Sequence, residues 1–203
     1  MRINPQSGRR TTLRSTVILQ PAVSSEAIET QTRAPQESDE VRWSRNRMPI
    51  SVFMETPPRE AFDSAVQLLH ASLRQWEGAI QDGIRFQPLM ELDEGQQADI
   101  MIRWAGHTTL GRDFEVGHTQ RTVLDGVITQ AAIVLITHPM IDKQLGPQTQ
   151  RQRLYATLLH EIGHALGLEH STNPADVMHH RGWQHTLLSH NDTNRIRLLY
   201  KNF

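Results

Sequence analysis

The chain has 203 residues, 37% of them hydrophobic and 21% charged, which is enough for one domain with a proper core and too few for two. Its 21 lysines and arginines nearly cancel 22 aspartates and glutamates, so no general field draws nucleic acid or an anionic membrane, and neither is expected as a partner. No cysteine occurs, which excludes disulfides, thiolate nucleophiles, cysteine-held zinc and a thiol-based latency switch.

Residues 1–42 are rich in Ser, Thr, Gln, Arg and Glu and are interrupted by Pro5, Pro21 and Pro35, with neither helical nor strand periodicity. They read as a flexible tail or short prosegment. Basic residues open the chain (Arg2, Arg9, Arg10, Arg14), but the longest apolar run there, Val17-Ile18-Leu19, is too short for a secretory core. No stretch approaches membrane-spanning length, so the protein is expected to be soluble, and cytoplasmic as encoded.

The folded domain is expected over 43–203. Ile50, Val52 and Met54 alternate with Ser51 and Phe53 in a short strand closed by Pro57-Pro58. Phe62, Val66, Leu69, Leu73 and Trp76 then recur at helical spacing, the pattern of a helix laid on a sheet and ended by Gly83. Ile84 and Phe86 suggest a second strand, and Ile100, Ile102 and Trp104 one face of a third. The segment from Ala105 to Asp125 reads as a long loop leading to a short edge strand around Val116-Gly117-His118-Thr119. Val127 to Ile136 is nearly continuously apolar and β-branched, which suits a buried strand. After Pro147 a helix runs through Leu154, Leu158 and Leu159 until Gly167 breaks it. A last helix follows Ser189, capped with Asp192, and buries Ile196, Leu199 and Tyr200.

Seven of the 11 histidines lie between His160 and His190, which turns the search toward metal chemistry. His160-Glu161-Ile162-Gly163-His164-Ala165-Leu166-Gly167-Leu168-Glu169-His170 fits H-E-x-x-H-x-x-G-x-x-H. On a helix, histidines four residues apart share a face and can offer both imidazoles to one zinc ion. Gly167 can adopt a left-handed conformation that lets the chain swing His170 back to the same ion. Three nitrogen ligands leave the fourth position for water, the arrangement of a catalytic zinc site. No glutamate follows Glu169, so no downstream glutamate competes for the third place, although Asp176 and Asp192 remain alternatives to His170. Glu161 adjoins a ligand and is placed to take a proton from the zinc-bound water and pass it to the departing amine.

The zinc motif, the His170-Ser171 that follows it, Met178 in Pro174-Ala175-Asp176-Val177-Met178, and Leu188-Ser189 with Asp192 and Ile196 through Tyr200 resemble the metzincin peptidases, and within them the matrixins. The resemblance implies an α+β, zincin-like fold: a twisted mixed sheet with two long helices, the second carrying the zinc motif, and a small C-terminal subdomain ending in a helix. It implies a zinc-dependent endopeptidase acting on protein or peptide substrates, working as a monomer, with an extracellular setting as the family alternative to the cytoplasm.

By the same resemblance Met178 is the apolar floor beneath the metal, where the plainer reading is core packing. Asp192 braces that turn, or else serves only as a charge at a helix N-terminus. Substrate would lie extended against Val116, Gly117, His118 and Thr119, and Trp183, Leu187 and Leu188 would wall a pocket for an apolar side chain just after the cut. A tail carboxylate, Asp39 or Glu40, stands as a candidate for covering the metal in place of the family's cysteine.

Several family accessories find no match. His118 sits where a second, structural zinc could be held, but His107 is followed by Thr109 rather than Asp, and Thr129 stands where another histidine is expected. One catalytic zinc is therefore predicted, without structural zinc or calcium. His179-His180 replaces the usual residues after the methionine and reads as a solvated pair, or as a modifier of the pocket. Two other functions compete: a catalytically weak zinc-binding interaction protein on a peptidase scaffold, against which Glu161 argues, and a hydrolase of non-peptide amides.

Overall fold

A computed structural model describes residues 10–19, 41–58, 64–80, 83–106, 114–137 and 144–201, with the side chains of 10–19, 114, 115 and 183 outside the description. Phe62, His107, Thr109, Asp39 and Glu40 lie outside the described residues. The architecture is α+β, and its strands are β1 Arg10–Leu19, β2 Arg42–Trp43, β3 Ile50–Met54, β4 Phe86–Leu89, β5 Ile100–Gly106, β6 Phe114–Leu124 and β7 Val127–Thr137. Three α-helices accompany them among the described residues: α1 Ala65–Ile80, α2 Pro147–Ala165 and α3 His190–Leu199.

Among the described residues the strands form one mixed sheet in the order β1-β6-β7-β5-β3-β4, with β2 pairing the start of β7. β3, β4, β5 and β7 run parallel, β3 and β4 being joined through α1, and β6 runs antiparallel to β7. The β6–β7 hairpin turns on Asp125 and Gly126, both at positive φ (50° and 78°), the backbone that a two-residue turn between right-twisted strands requires.

α1 buries Ala65, Leu68, Leu69, Ser72, Leu73, Trp76 and Ile80, a stripe one residue off the predicted one at its start. Val66 is therefore on the outer side, 40% exposed, where it was expected to be inside. Pro147 opens α2 as its first residue, where its missing N–H costs nothing. The two helices pack together, and the Trp76 indole donates to the Leu159 carbonyl at 3.0 Å.

Two expectations need correction. The tail predicted without regular structure contains β1, which pairs antiparallel with β6 from Arg10↔Leu124 to Leu19↔Phe114. Apolar alternation is absent from Arg-Thr-Thr-Leu-Arg-Ser-Thr-Val-Ile-Leu, and the backbone ladder with β6 supplies the pairing instead. The short edge strand predicted around Val116 is an 11-residue strand with partners on both sides. Its inward positions alternate as Gly117, Thr119, Arg121 and Val123, but two of these four are polar, which hides the period from a hydrophobicity reading.

The last turn of α2 is closed by residues from both ends of the domain. The Trp43 indole donates to Ala165 O at 2.9 Å, and the Tyr200 hydroxyl donates to Leu166 O at 2.8 Å while accepting from Trp43 N. These carbonyls have no partner within the helix, so the side chains satisfy groups that would otherwise be buried without one.

Candidate metal centre

His160 and His164 stand one turn apart on the inner face of α2, both buried. The Nδ1 of His160 lies 2.6 Å from Val177 O, and that of His164 lies 2.7 Å from Leu168 O. A carbonyl only accepts, so each Nδ1 carries the hydrogen and each Nε2 is left with its lone pair. The two Nε2 atoms are 2.9 Å apart, and the Nε2 of His170 is 3.3 Å from that of His160. Three nitrogens each about 2.0–2.1 Å from a tetrahedral zinc stand about 3.3–3.4 Å from one another. The two spacings from His160 are close to that, His160 and His164 are in the tautomer that leaves Nε2 free for an ion, and the three-nitrogen donor set fits the metal. Among the described residues they form the one group of three or more His, Cys, Asp or Glu side chains able to hold an ion.

His170 reaches the cluster through a Schellman turn. Gly167 N donates to His164 O at 2.9 Å and Leu168 N to Gly163 O at 3.0 Å, with Gly167 at φ 108°. A β-carbon there would meet Val41 O at 2.1 Å, so both backbone and space demand glycine. Beyond the turn, Glu169 pairs with the buried Arg121 of β6, Arg195 donates to Glu169 O at 2.7 Å, and Ser171 N donates to Met178 O at 2.8 Å. The third histidine is thus on a short loop tied on three sides.

Beneath α2, Met178 is fully buried, and Gly163 makes the room for it. A β-carbon at 163 would come within 2.3 Å of the Met178 sulfur. Asp192 carries out both functions considered for it. Its carboxylate accepts from Val177 N at 2.8 Å and Met178 N at 3.2 Å, and it completes the capping box with Ser189 at the start of α3. Since Val177 O in turn holds His160, the brace reaches the histidine cluster in two steps. Asp176 is taken up by Ser171, Asn173, Ser189 and Asn191, so neither aspartate joins the three histidines as an alternative ligand.

Burial dominates the electrostatics. It pushes His160 down to about 3, against the hydrogen bond to Val177 O, and holds His164 well below the ordinary imidazole value, with the charges of His160 and His170 adding to the effect. His170 is also lowered by burial, which the neighbouring Glu169 opposes. All three rings are therefore neutral and ready to coordinate at neutral pH.

Glu161 follows His160 on α2 and has no exposed surface. Thr119 Oγ1 of β6 is 2.6 Å from its Oε2, and a β-carbon at Gly117 would be 3.0 Å from its Oε1. The predicted segment Val116-Gly117-His118-Thr119 therefore runs beside the glutamate, with β1 on its outer side through Ser15↔Thr119, Thr16↔His118 and Val17↔Gly117. Trp183 falls in the 3-10 turn Gly182–Gln184, Leu187 is exposed, and Leu188 packs partly against the core. His180 is exposed, as a solvated residue would be, while His179 is buried and its ring stacks at a tilt on that of His180.

Sequence reasoning missed the links from Thr119 to Glu161, from Arg121 to Glu169, and the hub at Asp176. The first two could have been sought in the period-two spacing of Gly117, Thr119, Arg121 and Val123. The model of the matrixin family, peptidase family M10, matches residues 42–201 of this chain.

Proposed function

Because the chain belongs to the matrixins, a family of metallopeptidases, we propose that it is a zinc-dependent endopeptidase that hydrolyses internal peptide bonds of proteins. The observation that carries this reading is the convergence of three imidazole nitrogens, two of them on the helix that also carries the buried carboxylate of Glu161. His160, His164 and His170 would hold the zinc. When bound, zinc supplies Lewis acidity at the scissile carbonyl and acidifies a water beside it.

Glu161 is the general base: its carboxylate takes the proton of the attacking water and delivers it to the leaving amine nitrogen. Met178 is the apolar floor on which the two helix histidines rest, and its fit against Gly163 supports that role. An extended substrate would lie along β6 at Val116, Gly117, His118 and Thr119, gaining main-chain hydrogen bonds that do not depend on its sequence. Trp183 and the exposed Leu187 are the candidates for walling the pocket after the cut, and an apolar residue is the expected preference there.

The test is cleavage of a proteome-derived peptide library by the zinc-loaded protein, with and without chelator, beside Glu161→Gln. Cleavage should fall at least about 1,000-fold in the variant, the scale of losing a general base with its electrostatic role, while zinc binding is retained. A zinc-loaded wild type that cleaves nothing, with or without residues 1–42, would overturn the peptidase reading in favour of a zinc-binding interaction protein.

A further inference from the structure

We propose that Thr119 is a positioning residue for the general base, its hydroxyl fixing the Glu161 carboxylate in the orientation needed for proton transfer. The inference rests on the reading of Glu161 as the base. It gives β6 a catalytic duty through a side chain on its inner face, apart from any pairing with substrate along its backbone.

Thr119 has no exposed surface, and neither has Glu161, so no bulk water competes for either group. The hydroxyl lies 2.6 Å from Glu161 Oε2 and 3.1 Å from the main-chain oxygen of the same residue. It has one hydrogen to give, and the shorter contact, to the carboxylate, is the stronger of the two. Thr119 is itself immobile. Its backbone is laddered to Ser15 on one side and Ile133 on the other, and its branched β-carbon restricts χ1.

Gly117 completes the seat. A β-carbon at that position would stand 3.0 Å from Glu161 Oε1, 3.2 Å from its Cγ and 3.0 Å from the Thr157 methyl. Any side chain there would push the carboxylate back by a few tenths of an ångström, so glycine lets it lie directly against the strand. A glutamate has three rotatable bonds, and confining it costs conformational freedom that a fixed donor and a fitted wall supply in advance.

Thr119→Val keeps the shape and removes the donor, and Thr119→Ser keeps the donor and removes the methyl. With peptide substrate and zinc-loaded protein, Thr119→Val should lower kcat by about 10–100-fold, the worth of a hydrogen bond to a charged group. KM and the zinc affinity measured by competition with a chromophoric chelator should stay within about 3-fold. Thr119→Ser should restore most of kcat. An unchanged kcat in Thr119→Val, in a preparation whose wild type cleaves, overturns the proposal, as does a loss that appears only in KM or zinc affinity.

If the wild type cleaves nothing, the peptidase reading fails separately, and crystal structures of wild type and Thr119→Val decide the positioning alone. A displaced or multiply placed Glu161 carboxylate in the variant supports it, and a superposable one overturns it. Should Thr119→Val not fold, Thr119→Ala carries the same comparisons.

Discussion

At the scale of the residue, the buried histidines His160 and His164 make the metal-free domain sensitive to acid. An imidazole whose pKa is depressed on folding stays neutral in the native state while the same group in the unfolded chain takes up a proton below pH 6.5. The contribution of these groups is therefore complete above pH 6.5 and is lost as pH falls toward about 3, where His160 protonates in the folded state too. Calorimetry of the metal-free protein should show Tm falling through that window, with a shallower slope in His160→Gln; a slope that His160→Gln leaves unchanged would contradict the assignment. Gly163→Ala sets two effects against each other, since alanine favours a helix by about 1 kcal/mol but would meet the buried Met178 sulfur at 2.3 Å and Trp76 Cζ2 at 2.8 Å. Displacement should win, and denaturant unfolding should show a net loss of about 1–2 kcal/mol. The histidines were legible in the sequence because ligand spacing along one helix and its terminal turn is local. Thr119 with Glu161 and Arg121 with Glu169 were not, because 42 and 48 residues separate the partners and only the fold brings them together.

At the scale of the element, the proposed substrate path along β6 meets a strand that already has a partner. Its outer edge holds β1 in antiparallel register, and an extended peptide seeking main-chain hydrogen bonds at Gly117 to Thr119 needs those same groups. A chain lacking residues 1–40 should accordingly cleave peptides with a higher kcat/KM than the full chain, by about 10-fold or more if the tethered strand has the millimolar effective concentration usual for a short linker. Equal values would mean that substrate and β1 use different edges. The helices α2 and α3 and the strand β7 were legible from apolar periodicity and from Pro147, Ser189 and Asp192 at their starts. β1 was not, because a strand held by backbone pairing needs no apolar alternation of its own, and the length of β6 was hidden by Thr119 and Arg121 on its inner face.

At the scale of the whole molecule, His160, the turn at Gly167 and the Asp192 brace form one connected structure, so a metal held by the three histidines would stabilise the fold. With zinc at 100 times its dissociation constant, linkage adds about 2.7 kcal/mol, or roughly 5–10 °C in Tm for a domain of this size. Chelation should remove that increment and raise amide exchange first at residues 168–171, which leave the helix to deliver His170. If exchange rises instead evenly over α2, the histidine loop is not the element that the metal organises.

The closure of α2 by Trp43 from one end and Tyr200 from the other has a different consequence. With Trp43 N 3.2 Å from the Tyr200 hydroxyl, residues near the first and last positions of the domain are neighbours, and its start and finish are covalent accidents rather than features of the packing. A circular permutant of residues 41–201, joined by a short glycine-serine bridge and reopened at the exposed Asp125-Gly126 turn, should assemble the same histidine cluster from a chain that reads in a different order.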